Sequence, residues 1–129
     1  MNFVRLSLIS IACLLASAAF AEGAVRTFEC TIEKVCDAAG QCETAEGDIT
    51  FRLQPQQLDN NGAGSYQLSY EGGAVDMQAI SDAGPFTWMV DDVRHTLLVT
   101  AETRLLWHSL SLSAPLQSRS QFLECTLGQ

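Results

Sequence analysis

Apolar residues in this chain recur at every second position, and no stretch after residue 21 keeps a 3.6-residue apolar period for more than two turns. Phe28, Cys30 and Ile32 alternate with Thr27, Glu29, Thr31 and Glu33. Ile49, Phe51 and Leu53 follow, then Tyr66, Leu68 and Tyr70, then Val75 and Met77. Phe86, Trp88 and Val90 make the next set, His95, Leu97 and Val99 the one after, and Leu106, His108, Leu110 and Leu112 the seventh. Leu123, Cys125 and Leu127 close the series. Each set has the half-buried face of a short β-strand.

Turn-forming residues separate these runs at Asp37–Gly40, Asp59–Gly62, Gly72-Gly73, Ala83–Pro85, Asp91-Asp92 and Ala114-Pro115. Eight short strands without a helical insert predict an all-β domain, a small antiparallel meander closed into a β-barrel. A two-sheet β-sandwich is the alternative. No internal repeat or linker divides the chain, so residues 22–129 are expected to form one domain.

Residues 1–21 break the alternation. Arg5 is followed by an uncharged run from Leu6 to Phe20, ending in the small-x-small pattern Ala19-Phe20-Ala21. That is a secretory signal peptide, too short in its apolar part for the ~20 residues that span a bilayer. Cys13 inside it is a poor lipoprotein cysteine, because Ser10-Ile11-Ala12 precede it and the apolar run continues past it. The mature protein is expected to be periplasmic or secreted, with no membrane insertion after cleavage.

Cleavage changes the arithmetic. Loss of Cys13 turns five Cys into four, Cys30, Cys36, Cys42 and Cys125, an even set in an exported chain. With 26–36 as one strand, Cys30 and Cys36 lie about 20 Å apart, beyond the roughly 7 Å reach of a disulfide. Cys36 and Cys42 face each other across a hairpin, which leaves Cys30 with Cys125, first strand to last. The Cys-x5-Cys spacing beside Asp37 and Glu43 suits neither a thioredoxin-like site nor zinc.

Charge narrows the partners. Loss of Arg5 leaves six basic against fifteen acidic residues, a mature charge of −9. Nucleic-acid binding needs clustered Lys and Arg and is excluded on that ground. The carboxylates fall on outward parities or in turns, and no Gly-x-Ser-x-Gly elbow is present. Asp59-Asn60-Asn61-Gly62 has an incomplete calcium-loop spacing and reads as an ordinary turn. No catalytic residue, metal ligand or cofactor site is assigned, and the protein is expected to be non-enzymatic.

Two groups of side chains are candidate binding residues. With Asp91-Asp92 and Glu102-Thr103 as hairpin turns, Trp88 faces His95 and Leu97 faces His108. Both His then lie inward as diagonal neighbours about 7–8 Å apart. Tyr66, Tyr70, Phe86, Trp88, His95 and His108 would line a calyx for a small ligand. The same register puts Met89, Leu98, Leu105 and Trp107 outside, as a face for a protein partner or a second copy. A one-residue slip in either turn would separate the two His.

The Phe28-Glu29-Cys30 start, the Leu123-Glu124-Cys125 end, the small size and the acidic charge resemble the layout of the bacterial inhibitors of c-type lysozyme. The resemblance implies a barrel tied first strand to last and a basic protein as partner. Those inhibitors carry a Ser-Gly-x-x-Tyr stretch, whereas this chain has Gly62-Ala63-Gly64-Ser65-Tyr66, so no site residue is carried over. The expected function is an exported binding or protein-interaction module, with the small-ligand calyx and the inhibitor of a basic enzyme as alternatives.

Overall fold

A computed structural model describes residues 24–128, so the expected signal peptide lies outside the described residues. Nine strands follow one another: β1 (Arg26–Asp37), β2 (Cys42–Thr44), β3 (Asp48–Leu58), β4 (Gly64–Tyr70), β5 (Gly73–Ala79), β6 (Phe86–Val90), β7 (Val93–Ala101), β8 (Arg104–Ser111) and β9 (Gln117–Gly128). Every pairing is antiparallel, and β9 returns to β1. Eight strands therefore close a barrel, as the alternation predicted, and β2 is an added short strand.

The length of β1 explains the extra strand. Its first half pairs β3, from Arg26↔Leu53 to Thr31↔Asp48, and its last residues pair β2, from Lys34↔Thr44 to Cys36↔Cys42. The opposite edge pairs β9 over the whole length, with a bulge between Ile32 and Lys34. β2 is three residues long and fully exposed, so no apolar alternation marks it in the sequence.

Both expected disulfides are present. Cys30–Cys125 ties β1 to β9 inside the barrel wall, and Cys36–Cys42 ties the β1–β2 hairpin. In each bond the cysteines are also cross-strand partners, with Cα atoms 4.0 Å apart. The two bonds indicate an oxidising, extracellular compartment. No helix among the described residues is long and apolar enough to cross a membrane.

One end of the barrel is plugged. The Tyr66 hydroxyl donates to the Gly62 carbonyl at 2.8 Å, and the Arg26 guanidinium donates to the Asp82 carbonyl at 2.6 Å. Arg26 also lies over the rings of Phe28 and Phe86, at 5.9 and 5.7 Å from their centroids. The middle is filled by core side chains, among them Phe51, Leu53, Leu68, Phe86, Leu97 and Leu123. At the other end the strands are joined by tight turns. Asp91-Asp92 has positive φ at both residues, and so does Glu71-Gly72, the mirror-type hairpin turn that matches strand twist. The second turn thus falls one residue earlier than the expected Gly72-Gly73.

The β7–β8 hairpin corrects the expected register. Ala101 faces Arg104 as anticipated, but the next pair is Val99↔Leu105, because Thr100 is the extra residue of a bulge. The Thr100 hydroxyl donates to the Arg104 carbonyl at 3.3 Å across this irregularity. A one-residue slip exchanges the two faces of a strand. Leu97 consequently faces Trp107 rather than His108. Leu105 (2% exposed) and Trp107 (7%) belong to the core, while Leu106, His108 and Leu110 turn outward.

Candidate functional site

The inward positions nearest the open end form a row across five strands. Trp88 on β6 faces His95 on β7, which faces Ser109 on β8, which faces Arg119 on β9, which faces Asp37 on β1. One step deeper the row is Leu97, Trp107, Gln121, Val35 and Glu43. One step further out come Val90, Val93, Ser111 and Gln117. Of these residues Val35, Asp37, Glu43, Val93, Ser109, Ser111, Gln117 and Arg119 line a cleft of about 760 Å³, with Leu116 and the Asp37–Gln41 hairpin at its lip. Side chains of one strand alternate inward and outward, so one register places all of them.

Aromatic rings pack against one another among the inward side chains next to this row. Trp88 and His95 stack with centroids 5.0 Å apart and planes 13° apart. Tyr70 meets Trp88 and Trp107 edge to face, at 5.7 and 5.9 Å, and Trp107 meets Phe51 likewise at 5.4 Å. The polar tips are ordered by hydrogen bonds. The Trp88 indole N–H donates to the Tyr70 hydroxyl at 3.1 Å, which leaves the phenolic hydrogen free.

His95 is fixed in a single tautomer. The Trp107 indole N–H donates to His95 Nδ1 at 3.1 Å, and an indole nitrogen can only donate, so the imidazole hydrogen sits on Nε2. Ser109 Oγ lies 3.1 Å from the same Nδ1. The ring is half-buried, and burial pushes its pKa below the ordinary His value, with Glu71 acting in the opposite direction. Neutral His95 therefore presents Nε2–H, which has no partner among the described residues and is not sealed from solvent. Ser109 and His95 do not form a nucleophile–base pair in this state, since the indole already engages the lone pair on Nδ1.

Two further polar residues, Arg119 and Gln121, occupy the inward parity of β9. Arg119 makes no ion pair; those found among the described residues join Arg104 to Glu33 and Glu124 on the outer surface. Gln121 is a buried polar residue at 5% exposure, facing Trp107 on β8 and Val35 on β1. The turns around this end are rich in carboxylates: Asp37 in the hairpin, Glu43, Glu46 and Asp48 along β2 and its exit, Glu71, and the Asp91-Asp92 pair.

No protein-family model, curated protein or solved structure matches the chain.

The sequence-level candidates are redistributed as follows. Tyr66, Tyr70, Trp88 and His95 are inward, but Tyr66 sits at the plugged end and only Tyr70, Trp88 and His95 come together. His108 faces outward, with Nε2 2.8 Å from Ser118 Oγ, so the two His share no site. Of the expected partner face, Met89 and Leu98 remain outside, whereas Leu105 and Trp107 are core residues. The apolar row actually outside is Leu98, Leu106 and Phe122, across β7, β8 and β9.

Arg119 and Asp37, which line the cleft, were missed as site residues. Their signal is the polar parity of β9, where Gln117, Arg119 and Gln121 continue the inward positions of Leu123 and Cys125. Among the described residues no three His, Cys, Asp or Glu side chains converge to hold a metal. The Asp59 carboxylate accepts from the amides of Asn61 and Ala63 at 2.8 and 3.0 Å and organises its own turn.

Proposed function

We propose that this protein is an exported, non-enzymatic binding protein, working in the periplasm or outside the cell, whose site is the open end of the barrel. One observation carries the reading: Ser109, Arg119 and Asp37, cross-strand partners in one inward row that continues to His95, line a sizeable cleft. Binding sites combine a shaped concavity with a few placed polar groups, and 760 Å³ is in the range that takes a small molecule or a short peptide. The expected calyx is thereby moved from the filled middle of the barrel to its mouth. The acidic surround favours a ligand or partner that carries positive charge, as the alternative of a basic protein partner also requires. The outer row of Leu98, Leu106 and Phe122 is a lesser basis for a partner face, since two of its three members are only partly exposed.

The test is gentle purification followed by native mass spectrometry, on the natural chain and on Ser111→Trp, which places a bulky ring in the cleft. Extra mass that leaves on denaturation, and is lost in Ser111→Trp, is the expected result. Retention of the same mass by Ser111→Trp would overturn the assignment of the mouth.

A further inference from the structure

The barrel wall has a seam at which the ladder stops early. β5 and β6 pair only at Gln78↔Thr87 and Ala79↔Phe86, at the plugged end, whereas β4 and β5 pair along their whole length. Toward the open end β5 and β6 run on without pairing, as far as the Glu71-Gly72 and Asp91-Asp92 turns.

Register identifies the groups left over. Tyr70 and Gly73 flank a two-residue turn and exchange both backbone bonds, and Val75 and Met77 do the same with Leu68 and Tyr66. The N–H and C=O groups of Ala74 and Asp76 therefore point the other way, toward β6, as those of Gln78 do where it meets Thr87. On β6 the same count from Val90↔Val93 turns the groups of Met89 toward β5. Among the described residues no ladder, turn or loop bond reaches Ala74, Asp76 or Met89 on that side. All three residues are exposed. Behind them Met77 and Trp88 fill the interior, at 1% and 4% exposure, so the seam is an interrupted ladder and not a hole into the core. The Trp88 bond to the Tyr70 hydroxyl ties β6 to β4 beneath it.

An unpaired strand edge is a template for a further strand. β5 offers Ala74 and Asp76, two donors and two acceptors at the spacing of an antiparallel ladder. An added strand sets its bonding residues opposite Asp76 and Ala74 on the outer surface. The residue between them points inward, against the half-buried Val75 and Val90. Charge decides between occupants. Two copies joined by this edge would bring Asp76, Glu71 and the Asp91-Asp92 turn against their equivalents, on a chain whose mature charge is −9. A basic segment meets the opposite: a Lys or Arg opposite Asp76 sets its head against that carboxylate and its stem over Met89, which is 48% exposed. Arg94, facing Met89 from β7, keeps that head on the β5 side.

Independently of the mouth, we propose that the β5 edge of this seam is a docking site for an extended, basic segment of a partner protein, which adds antiparallel to β5 through Ala74 and Asp76. The preferred segment has Lys or Arg opposite Asp76, followed by a small apolar residue.

The experiment is NMR titration of the isotope-labelled mature chain with the peptide acetyl-Thr-Lys-Val-Lys-Thr-amide. In the free chain the amides of Ala74 and Asp76 should exchange with deuterium on the order of a hundredfold faster than those of Val75 and Met77. The peptide is expected to shift the Ala74 and Asp76 amides and slow their exchange. The same peptide with Glu in place of Lys, or N-methylated at both Lys, should bind about tenfold more weakly or worse. Ala74→Pro removes an edge donor without removing a bond to β4, and Asp76→Lys reverses the charge. Each should lose peptide binding by a similar factor with the melting temperature little changed. Slow exchange of Ala74 and Asp76 in the free monomer, no response of these amides to the peptide, or equal binding of the Glu or N-methylated form overturns the proposal. So does full binding in either variant. Self-association that Ala74→Pro abolishes, without a response to the peptide, assigns the edge to a second copy and overturns the basic segment. Shifts at Ser109 and Arg119 in place of Ala74 and Asp76 put the peptide in the mouth and overturn the seam.

Discussion

The Trp107 indole N–H donates to His95 Nδ1 at 3.1 Å, and this bond sets the tautomer of a histidine that burial already makes reluctant to take a proton. Protonation would place a second hydrogen on Nδ1 and expel the indole. Burial lowers the native pKa below that of the unfolded chain, against the opposing pull of Glu71. The unfolded state therefore binds the proton first. The contribution of His95 to stability is complete above the unfolded value of about 6.5 and is lost as pH falls from there through the lower native value. Trp107→Phe removes the donor that favours the neutral ring, so His95 should titrate at higher pH in that variant. Titration of the imidazole ring protons by NMR measures the shift. An unchanged midpoint would show that the indole bond does not control the ring.

The Cys30–Cys125 bond encloses most of the barrel, with a sequence separation of 95, whereas Cys36–Cys42 spans 6. On the chain-entropy account the long loop is worth about 4–5 kcal/mol and the short one about 2. Replacing Cys30 and Cys125 together by Ala should lower the urea midpoint by clearly more than replacing Cys36 and Cys42. The hairpin pair lies at the lip of the cleft, so its loss should register in ligand binding at the mouth more than in global stability. Equal losses of stability from the two pairs would contradict this ordering.

Gly64 opens β4 beside the bulge in β3, at φ 141°, and a Cβ there would overlap the carbonyl of Gln57. Both the backbone conformation and the close approach demand glycine. Gly64→Ala should destabilise by about 1–3 kcal/mol, since backbone rather than a flexible side chain has to move. Gly72 makes a useful control: it also has positive φ, at 77°, but nothing lies within 4 Å of its would-be Cβ. Gly72→Ala should cost less than Gly64→Ala in the same chemical denaturation series.

Most of the barrel was legible because its strands carry apolar residues on one parity only. β3, β4 and β6 show Ile49, Phe51 and Leu53, then Tyr66 and Leu68, then Phe86 and Trp88, all found inside. The cysteine pairing followed from strand length and the reach of a disulfide. β8 was not legible in the same way, for it is apolar on both parities: Leu105 and Trp107 on one, Leu106 and Leu110 on the other. There the register depended on a turn count, and a bulge at Thr100 carries no reliable signature in residue type. The open-end site inherited that error, because the position of His108 relative to His95 rests on the same hairpin. Its other members were obscured by chemistry: Arg119 and Asp37 are exposed charged residues, and only the pairing of β9 with β1 sets them side by side at the cleft.

The Thr100 bulge itself makes an opposite claim about two adjacent leucines. Leu105 is 2% exposed and packs in the core with Trp107 and Leu123, whereas Leu106 lies on the outer face between Leu98 and Phe122. Without the bulge their places would be exchanged. Leu105→Ala removes buried methyl groups and should cost about 2–5 kcal/mol. Leu106→Ala trims a partly exposed side chain and should cost less than about 1 kcal/mol. Urea denaturation of the two single variants under one set of conditions decides the matter, because the unbulged register requires the larger loss at Leu106. Deletion of Thr100 extends the test. Leu106 and His108 would then be driven inward against Leu97 and Val99, at the expense of Trp107, and the chain should unfold more readily than either single variant.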